Sequence, residues 1–348
     1  MMETIETTKR RNFRPLIQTA ALIGGALAAR AVLRKSREFD FQGKVVLITG
    51  GSRGLGLVLA REFASLGARI AICARDTEEL EDARRDLEGR GADVFALPCD
   101  ITDRKQIEDT VLAVQMHFRS LDVLVNCAGI IQVGPMESMT HEDYERAMDT
   151  HFWAPLHASL AVLPEMGRKR SGRIINVASF GGKSAVPHML PYSSSKFALV
   201  GLSEGMRSEL TRYGIYVTTA CPGLIRTGSH RHAEFKGQHT KEYALFTLGG
   251  SAPGFSMSAE TVARKIINAC KYGDAEVLPG LPAKIGAFMH GLLPGVTSEA
   301  WGLVNRALPG PGGITTQQAE GKYSQSMLSP SWATASIERA AVRNNEMR

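Results

Sequence analysis

The sequence predicts an α/β fold, in which a doubly wound parallel sheet forms the middle of three layers (α/β/α). Short, continuous apolar runs, such as KVVLIT at residues 44–49, are typical of strands that are buried on both faces. Helix-length stretches alternate with these runs, and this alternation predicts parallel strands joined by crossover helices. A glycine-rich turn follows the first run directly. In such sheets, ligands bind beyond the carboxyl ends of the strands.

The predicted elements fill the middle of the chain, and the flanking segments differ from it in composition. Strands are predicted at 44–49, 68–74, 93–99, 121–126, 172–179 and 215–221, with a shorter one at 275–279. The helix-like stretches include 77–90, 103–119, 141–167 and 258–271. We therefore expect a basic and apolar segment at 1–39, one folded domain at 40–280, two short amphipathic helices at 281–310, and a disordered tail at 311–348.

Composition and charge exclude some classes of protein. Of the 348 residues, 44% are hydrophobic and 22% are charged, as in a soluble globular protein with a large core. The net charge of +6 is mild, and no basic helix carries interleaved aromatic residues, so we expect no nucleic-acid partner. The five cysteines include no C-x-x-C pair, and four lie in or beside apolar runs. They indicate buried free thiols in a reducing compartment, and no metal site is predicted.

The first chemical motif is TGGSRGLG at residues 49–56, between the first predicted strand and the next helix. Its glycines, Gly50, Gly54 and Gly56, would let the backbone approach a pyrophosphate, which the positive end of the helix then stabilises. The spacing G-x-x-x-G-x-G is wider than the common G-x-G-x-x-G. A glycine cluster can form only a tight turn, but this position between a strand and a helix favours nucleotide binding.

The end of the second predicted strand indicates which dinucleotide would bind. A carboxylate at this place holds the ribose hydroxyls of NAD. Here the sequence CARD has Ala74 and then Arg75 at that place. Arg75 can bind a 2′-phosphate through its guanidinium fork, and Arg53 within the glycine loop is a second candidate. Both arginines could instead be solvated surface residues, but their two positions together predict NADP(H) as the cofactor.

A second motif, PYSSSKFALVG at 191–201, has Tyr192 four residues before Lys196. Pro191 suits the start of a helix, and residues four apart share one helix face. A nearby ammonium lowers the pKa of a phenol, so Tyr192 could exchange protons in catalysis. Taken alone, the pair could also be two surface residues in register.

Together these motifs resemble those of the short-chain dehydrogenase/reductase family. TGGSRGLG, NCAG at 126–129, Ser179, YSSSK and CPGLIRT at 221–227 occur in that family's order and spacing. The resemblance covers residues 42–280 and implies a Rossmann-type catalytic domain that transfers a hydride between a nicotinamide and a carbonyl carbon. It implies that Tyr192 is the acid/base, that Ser179 binds the substrate carbonyl, and that Lys196 holds the nicotinamide ribose and lowers the tyrosine pKa.

The motifs and the resemblance also assign residues to cofactor binding. Asp100 resembles the residue that contacts adenine, and Pro222, Gly223 and Thr227 resemble the loop at the carboxamide end. The full predicted set is Gly50, Ser52, Arg53, Gly54, Leu55, Gly56, Arg75, Asp100, Ile101, Asn126, Ala128, Gly129, Tyr192, Lys196, Pro222, Gly223, Ile225 and Thr227.

One position departs from the family's pattern. The family commonly has an asparagine whose backbone carbonyl holds a water of the proton relay, and this sequence has His151 there, in MDTHFWAP. The change could be harmless, because a backbone carbonyl does not depend on the side chain. Alternatively, the imidazole joins the relay and shifts the pH optimum, and on this interpretation His151 is a fourth catalytic candidate.

The sequence does not identify the substrate. The segment 224–257 is expected to form the substrate loop, and it carries no recognisable signature. The candidate pocket residues are mostly apolar, which is consistent with a lipophilic carbonyl or alcohol substrate; they are Ile130, Ile131, Phe180, His188 and Met189. The resemblance further implies a homodimer or homotetramer formed through helices near 141–167 and 191–213.

Residues 1–39 allow three interpretations. The apolar run at 16–33 is barely long enough to span a membrane, but its small residues and basic flanks favour membrane association. Arg10, Arg11 and Phe13 before this run resemble a twin-arginine export signal. The third interpretation is a dispensable soluble helix. These alternatives predict a catalytic core on the cytoplasmic side of a membrane, an exported protein, or a soluble cytoplasmic protein.

The sequence thus supports two functional hypotheses. The first is an NADP(H)-dependent oxidoreductase that acts on a carbonyl or secondary alcohol, with Tyr192 as acid/base. The second is a catalytically idle NADP-binding protein that serves as a redox sensor or a membrane-bound interaction module. The presence of Ser179, Tyr192 and Lys196 together favours the first, whereas His151 keeps the second open.

Overall fold

The structure is a computed structural model that describes residues 24–25, 28–252, 254–326, 329, 331 and 334–347. The chain divides into two compact units, Met1–Glu38 and Phe39–Arg348. In the first unit, the described residues 28–36 are helical. The helices among the described residues include none that is long and apolar enough to cross a membrane. Most of the predicted anchor at 16–33, and both arginines of the predicted export signal, lie outside the described residues.

A seven-stranded parallel sheet forms the centre of the second unit. Its strands are β1 (Val45–Thr49), β2 (Arg69–Ala74), β3 (Val94–Pro98), β4 (Val123–Asn126), β6 (Gly172–Val177), β7 (Ile215–Ala220) and β11 (Glu276–Val277). They lie in the order β11-β7-β6-β4-β1-β2-β3, and each neighbouring pair is parallel. Five short strands form two small sheets beside it: β5 (Gln132–Val133), β8 (Leu224–Arg226), β9 (Glu234–Phe235), β10 (Ser256–Ser258) and β12 (Ala319–Glu320).

Helices cover both faces of the central sheet and extend beyond it. Their bounds are α1 (Gly54–Ser65), α2 (Thr77–Gly89), α3 (Arg104–Phe118), α4 (His141–Met148), α5 (Ala154–Lys169), α6 (Leu190–Leu210), α7 (His239–Ser251), α8 (Ala259–Lys271), α9 (Leu281–Leu292), α10 (Pro294–Asn305) and α11 (Ala335–Arg343). Apolar residues of α1, α2 and α8 pack on one face of the sheet, and those of α3 and α5 pack on the other. The predicted three-layer, doubly wound parallel fold is confirmed.

The strand order fixes where the functional site lies. The chain winds outward from β1 through β2 to β3, and then crosses back to β4 on the other side of β1. The crevice between the carboxyl ends of β1 and β4 is therefore the topological switch point, where doubly wound folds bind ligands. Thr49 and Asn126, the last residues of these two strands, are paired directly across this point.

The predicted helix at 141–167 is interrupted in the structure. A capping box between Thr140 and Asp143 starts α4, and a π-helical turn at Asp149–Trp153 then separates α4 from α5. A π-turn widens the helix by one residue, and such turns are frequent at functional sites. This turn contains His151, which is 1% exposed. The sequence pattern did not reveal this insertion, because the chain enters and leaves the turn with helical dihedral angles, at Met148 and Asp149 and at Trp153 and Ala154.

The prediction of a disordered tail at 311–348 was wrong for the described residues. Strand β12 pairs antiparallel with β9, and α11 buries Ile337, Ala340 and Ala341. This segment carries only a narrow apolar stripe, which composition does not distinguish from a polar linker. Its order depends on contacts with distant parts of the chain. In contrast, the two short helices expected within 281–310 are present as α9 and α10.

Candidate active site

The glycine loop lies between β1 and α1, as the sequence predicted. Gly50 and Gly54 have positive φ angles of 68° and 56°, which side chains with a Cβ rarely adopt. A Cβ on Gly50 would lie 2.7 Å from the Cα of Ala128, and a Cβ on Gly56 would overlap the carbonyl oxygen of Gly50. The loop is therefore a tight backbone cradle at the positive end of α1. These residues fit a pyrophosphate, because the cradle leaves first-turn amides without partners inside the helix.

The residues at the end of β4 support the other wall of the crevice. The hydroxyl of Thr49 accepts hydrogen bonds from the backbone amides of Cys127 (3.1 Å) and Ala128 (3.3 Å). The buried Asn126 donates its side-chain amide to Asn176 at 2.8 Å, and Asn176 donates to Ser203 at 2.8 Å. This chain of amides fixes the carboxyl ends of β4 and β6 relative to α6. Asn126 and Ala128 therefore lie at the carboxyl end of β4 beside the glycine loop, and the role of Asn126, Ala128 and Gly129 in cofactor binding stays a prediction.

The candidates for the adenosine end of the site differ in their surroundings. Arg75 is exposed just after β2, beside Ala74. Arg53, in contrast, forms an ion pair with Glu79 at 2.8 Å and contacts His232 at 3.0 Å. Asp100 accepts hydrogen bonds from the backbone and hydroxyl of Thr102, and the neighbouring Ile101 is buried. Of the two arginines predicted to bind the 2′-phosphate, Arg75 is thus solvent-exposed, whereas Arg53 is half-buried and already paired.

The three predicted catalytic side chains converge beyond β6. Ser179 follows this strand, and Tyr192 and Lys196 lie in the first turns of α6, which begins at Leu190 with Pro191 as its second residue. Lys196 is buried and donates from Nζ to the carbonyl oxygen of Val177 at 2.9 Å. Its Nζ lies 5.7 Å from the centroid of the Tyr192 ring. The strand end and the helix start therefore hold one hydroxyl, one phenol and one ammonium together.

Burial changes the proton affinities of these groups. Burial raises the pKa of Tyr192, whereas the hydrogen bond with Ser179 acts in the opposite direction. Burial lowers the pKa of Lys196 to about 8. The expectation that Lys196 lowers the tyrosine pKa therefore does not describe the balance in the structure. The reason is that desolvation of the phenolate outweighs the stabilisation that the hydrogen bond with Ser179 supplies.

His151 is held between two fixed partners. Its Nε2 accepts a hydrogen bond from the backbone amide of Ile130 at 3.1 Å, and its Nδ1 lies 2.8 Å from the hydroxyl of Ser195. Because Nε2 accepts, the proton lies on Nδ1, which donates to Ser195; that hydroxyl donates in turn to the carbonyl oxygen of Tyr192 at 2.9 Å. Burial, together with the charge of Lys196, holds the pKa of His151 well below 6.5. The imidazole is thus neutral and linked to the backbone on both sides of the site.

The segment after β7 closes the crevice on the substrate side. The carbonyl oxygen of Pro222 accepts from the backbone amide of Phe180 at 2.8 Å, which ties this loop to Ser179. A Cβ on Gly223 would contact Ala283 of α9 at 3.3 Å, and Ile225 lies in β8. The hydroxyl of Thr227 bonds to Ser229 at 3.0 Å. Of the candidate pocket residues, His188 is paired with the buried Glu242 at 2.7 Å.

Sequence reasoning missed three residues that lie on the glycine loop. Asn344, Asn345 and Glu346 follow α11, and all three contact residues 52–54 or the side chain of Arg53. No local pattern in the sequence indicates this contact, because about 290 residues separate the partners. Asn176 was also missed, although an asparagine within the apolar run GRIINVAS was a usable signal.

The fold and these side chains define a class of enzyme. A dinucleotide cradle at the switch point, next to a hydroxyl, a phenol and an ammonium, belongs to oxidoreductases that act on carbonyl or alcohol groups. The comparison with protein families agrees, since the model for short chain dehydrogenases matches residues 44–236. This chain is a member of the short-chain dehydrogenase/reductase family, and the family predicted from its motifs is confirmed.

Individual relatives differ widely in what they act on. The chain is 32% identical over 189 residues to gluconate 5-dehydrogenase of Gluconobacter oxydans, covering 54% of this chain and 74% of the relative. It is 33% identical over 214 residues to 3-ketodihydrosphingosine reductase of Bos taurus, covering 60% of this chain and 64% of the relative. One relative is thus named for a polar sugar acid and the other for a lipid.

A solved structure shares both the fold and part of the sequence. The actinorhodin polyketide ketoreductase, solved with NADPH, superposes with a TM-score of 0.61 at 30% identity. The match covers 68% of this chain and 95% of the ketoreductase. The likeness therefore extends through almost the whole of that enzyme.

Proposed function

We propose that this protein is an NADP(H)-dependent oxidoreductase that transfers a hydride between the nicotinamide and the carbonyl or secondary alcohol of a lipophilic small molecule. The observation that carries the proposal is the convergence of Ser179, Tyr192 and Lys196 beyond the carboxyl end of β6. The NADP(H) preference rests on the residues at the end of β2, and the lipophilic substrate on the apolar surface beside the site.

The side chains of the site have distinct parts in the proposed reaction. When bound, the nicotinamide supplies or accepts the hydride. In reduction, Ser179 donates a hydrogen bond to the substrate oxygen and so polarises the carbonyl. Tyr192 then gives its phenolic proton to the same oxygen as negative charge develops there. Lys196 lies beside the phenol, with its Nζ 5.7 Å from the ring centroid, where it would hold the nicotinamide ribose.

The preference for NADP(H) rests on the end of β2. Ala74 leaves no carboxylate to repel a 2′-phosphate, and the exposed Arg75 can bind it through two donors. The second predicted arginine, Arg53, is paired with the buried Glu79, so its contribution to phosphate binding would require a change of partner. We therefore assign recognition of the 2′-phosphate mainly to Arg75.

A lipophilic substrate is supported by the surface next to the site. Helices α9 and α10 form a hairpin that exposes large apolar side chains, with Phe288 at 68% and Leu292 at 62% exposure. The same hairpin reaches the catalytic side, because a Cβ on Gly286 would lie 2.8 Å from the Phe180 ring. An exposed apolar surface beside Ser179 suits a substrate that partitions into lipid. An exposed apolar surface of this kind also fits the membrane association proposed for the run at 16–33.

The assay that tests this proposal follows NADPH consumption with a panel of ketones and aldehydes, including long-chain 3-keto compounds. NADPH should be consumed faster than NADH, and the double change Ala74→Asp and Arg75→Ser should reverse that order. Tyr192→Phe should lower the rate by at least about 100-fold, because the proton donor is lost. The matched control, Tyr213→Phe in the 3₁₀ turn just beyond α6, should retain full activity.

Two results would contradict the proposal. If Tyr192→Phe consumes NADPH as fast as the wild type, the tyrosine is not the acid/base. If no carbonyl or alcohol is turned over although NADPH binds, the catalytically idle interpretation is correct.

A further inference from the structure

The segment 334–347 lies against the glycine loop. Just beyond α11, the carbonyl oxygen of Asn344 accepts a hydrogen bond from the backbone amide of Gly54 at 2.8 Å. The side-chain amide of Asn345 donates to the carbonyl oxygens of Ser52 and Glu79, each at 3.1 Å. The C-terminal segment therefore uses an amide of the loop that a pyrophosphate would otherwise reach.

The carboxylate of Glu346 lies at the positive end of α1. Its Oε1 is 2.5 Å from the place where a Cβ on Gly54 would lie, and the residue is 3% exposed. Oε2 lies 3.4 Å from Nε2 of His232 and 3.9 Å from Nε of Arg53. An anion in this position mimics a cofactor phosphate, since a helix N-terminus favours negative charge there. It also fills space that the glycine without a Cβ leaves open.

Burial makes this carboxylate a weaker ligand than a phosphate. It raises the pKa of Glu346 to about 7, with Arg53 acting against the rise and Glu79 adding to it. Part of the population is therefore neutral at pH 7, whereas a pyrophosphate keeps its charge. A dinucleotide that reached the loop would therefore place a full negative charge at the N-terminus of α1, where Glu346 supplies only a partial one.

Contacts of α11 hold the segment in place from the substrate side. Ile337 is buried and lies 3.0 Å from the place of a Cβ on Gly250 in α7. Glu338 pairs with His230 at 3.0 Å, and Ala341 packs on Gly228. Asn344 also donates to the carbonyl oxygen of Thr227 at 3.2 Å. The segment thus bridges the glycine loop and the loop after β7, which are two opposite walls of the cofactor crevice.

We infer that the segment 334–347 is an intramolecular competitor of the dinucleotide: its docked position and cofactor binding exclude each other. The inference rests on the proposed function, because it requires that the crevice binds a dinucleotide. Cofactor entry then requires release of Asn344, Asn345 and Glu346 from the loop. Only molecules with the segment released can bind the cofactor, so the apparent Kd equals the intrinsic Kd divided by the released fraction. A segment docked in about 90% of molecules would therefore raise the apparent Kd about tenfold.

Full-length variants can release the segment without touching the glycine loop. Ile337→Asp and Ala341→Glu each place a charge on the buried side of α11. Val342→Glu places the same charge on its exposed side and serves as the matched control. NADPH affinity is measured by fluorescence titration, and hydrogen exchange of residues 334–347 is measured with and without saturating NADPH. Circular dichroism shows whether each variant keeps the fold.

The expected result is a Kd for NADPH at least about fivefold lower in the two release variants than in the wild type and Val342→Glu. In the wild type, saturating NADPH should accelerate exchange in 334–347. A synthetic peptide of residues 334–348 should weaken binding to the release variants. Because the hydrogen-exchange measurement uses the wild type, the test does not depend on whether Ile337→Asp folds.

Opposite results overturn the inference in distinguishable ways. If NADPH binds all variants equally, or leaves exchange in 334–347 unchanged, the segment does not compete, while the proposed function stands. If release weakens binding, the segment supports the cofactor and does not exclude it. If no variant binds NADPH or NADH although exchange shows the segment released, the proposed function fails and this inference fails with it.

Discussion

At the scale of single residues, the site depends on a few groups whose protonation the fold controls. Lys196 is buried, and its ammonium donates a hydrogen bond to the carbonyl oxygen of Val177 at 2.9 Å. His151 is neutral and bonded at both nitrogens. Both residues lie close to Tyr192: Nζ of Lys196 is 5.7 Å from the centroid of the phenol ring, and the imidazole of His151 meets that ring edge-on at 5.4 Å between centroids.

Lys196 should make stability depend on pH in the alkaline range. Burial lowers its pKa from 10.5 to about 8, so the folded state binds its proton less tightly than the unfolded state does. Its favourable contribution is therefore complete above pH 10.5 and is lost as the pH falls through 8. Relative to Lys196→Met, the wild type should gain up to about 3 kcal/mol in unfolding free energy as the pH rises between these values. Urea unfolding at pH 7 to 10 measures this difference, and a constant difference would contradict the prediction.

His151 should not shape the pH dependence of activity. Because burial and the charge of Lys196 hold its pKa well below 6.5, the imidazole is neutral at neutral pH, and both nitrogens keep their partners. The profiles of kcat/KM against pH for the wild type and His151→Asn should therefore have the same shape, with a lower rate for the variant. A wild-type limb near pH 6 that disappears in His151→Asn would instead show that the imidazole takes part in the proton relay.

At the scale of elements, buried polar pairs fix the short elements around the site. The start of α4 is joined to residue 236, directly after β9, by an ion pair between Asp143 and Lys236 at 2.5 Å. Both residues are almost fully buried, and Asp143 also accepts from the backbone of Thr140 and the side chain of Gln132. The pair therefore adds a polar tie to the apolar packing of β9, whose Phe235 is fully buried against Tyr243.

Breaking this pair should destabilise the protein strongly. Lys236→Met leaves a buried carboxylate without its cation and should cost about 3–5 kcal/mol of unfolding free energy. The double change Asp143→Asn and Lys236→Met removes both charges, so its cost should be smaller than the sum of the two single costs. Chemical denaturation of the four proteins of this cycle measures the coupling. Additive costs would show that the two side chains act independently.

At the scale of the whole molecule, the surface of the second unit carries apolar side chains on the helices expected to form an oligomer interface. Leu160 on α5 and Phe197 on α6 are 53% and 40% exposed, and Trp153 in the π-turn is 46% exposed. Single exposed apolar residues are ordinary, but these three lie on the two helices that the family resemblance implies for dimerisation. A second copy of this chain would remove them from water.

Charging this surface should produce a monomer. Leu160→Glu combined with Phe197→Glu should lower the mass measured by light scattering at micromolar concentration to that of a single chain, because like charges would face each other across a symmetric interface. Leu112→Glu on α3, where the leucine is equally exposed at 54%, should leave the mass unchanged. A wild type that is already monomeric would contradict the predicted assembly.

The alternation of apolar runs and helices determined the sheet by itself, since strands buried on both faces must be apolar along their whole length. The glycines of the loop, and Tyr192 four residues before Lys196, were also readable, because local backbone geometry sets their spacing. Tertiary structure alone decided that Arg53 pairs with Glu79, that His151 bonds to Ile130 and Ser195, and that Glu346 meets Gly54. It also decided that burial raises the pKa of Tyr192. These outcomes depend on desolvation and on contacts between residues far apart in the chain, and neither leaves a periodic trace in the sequence.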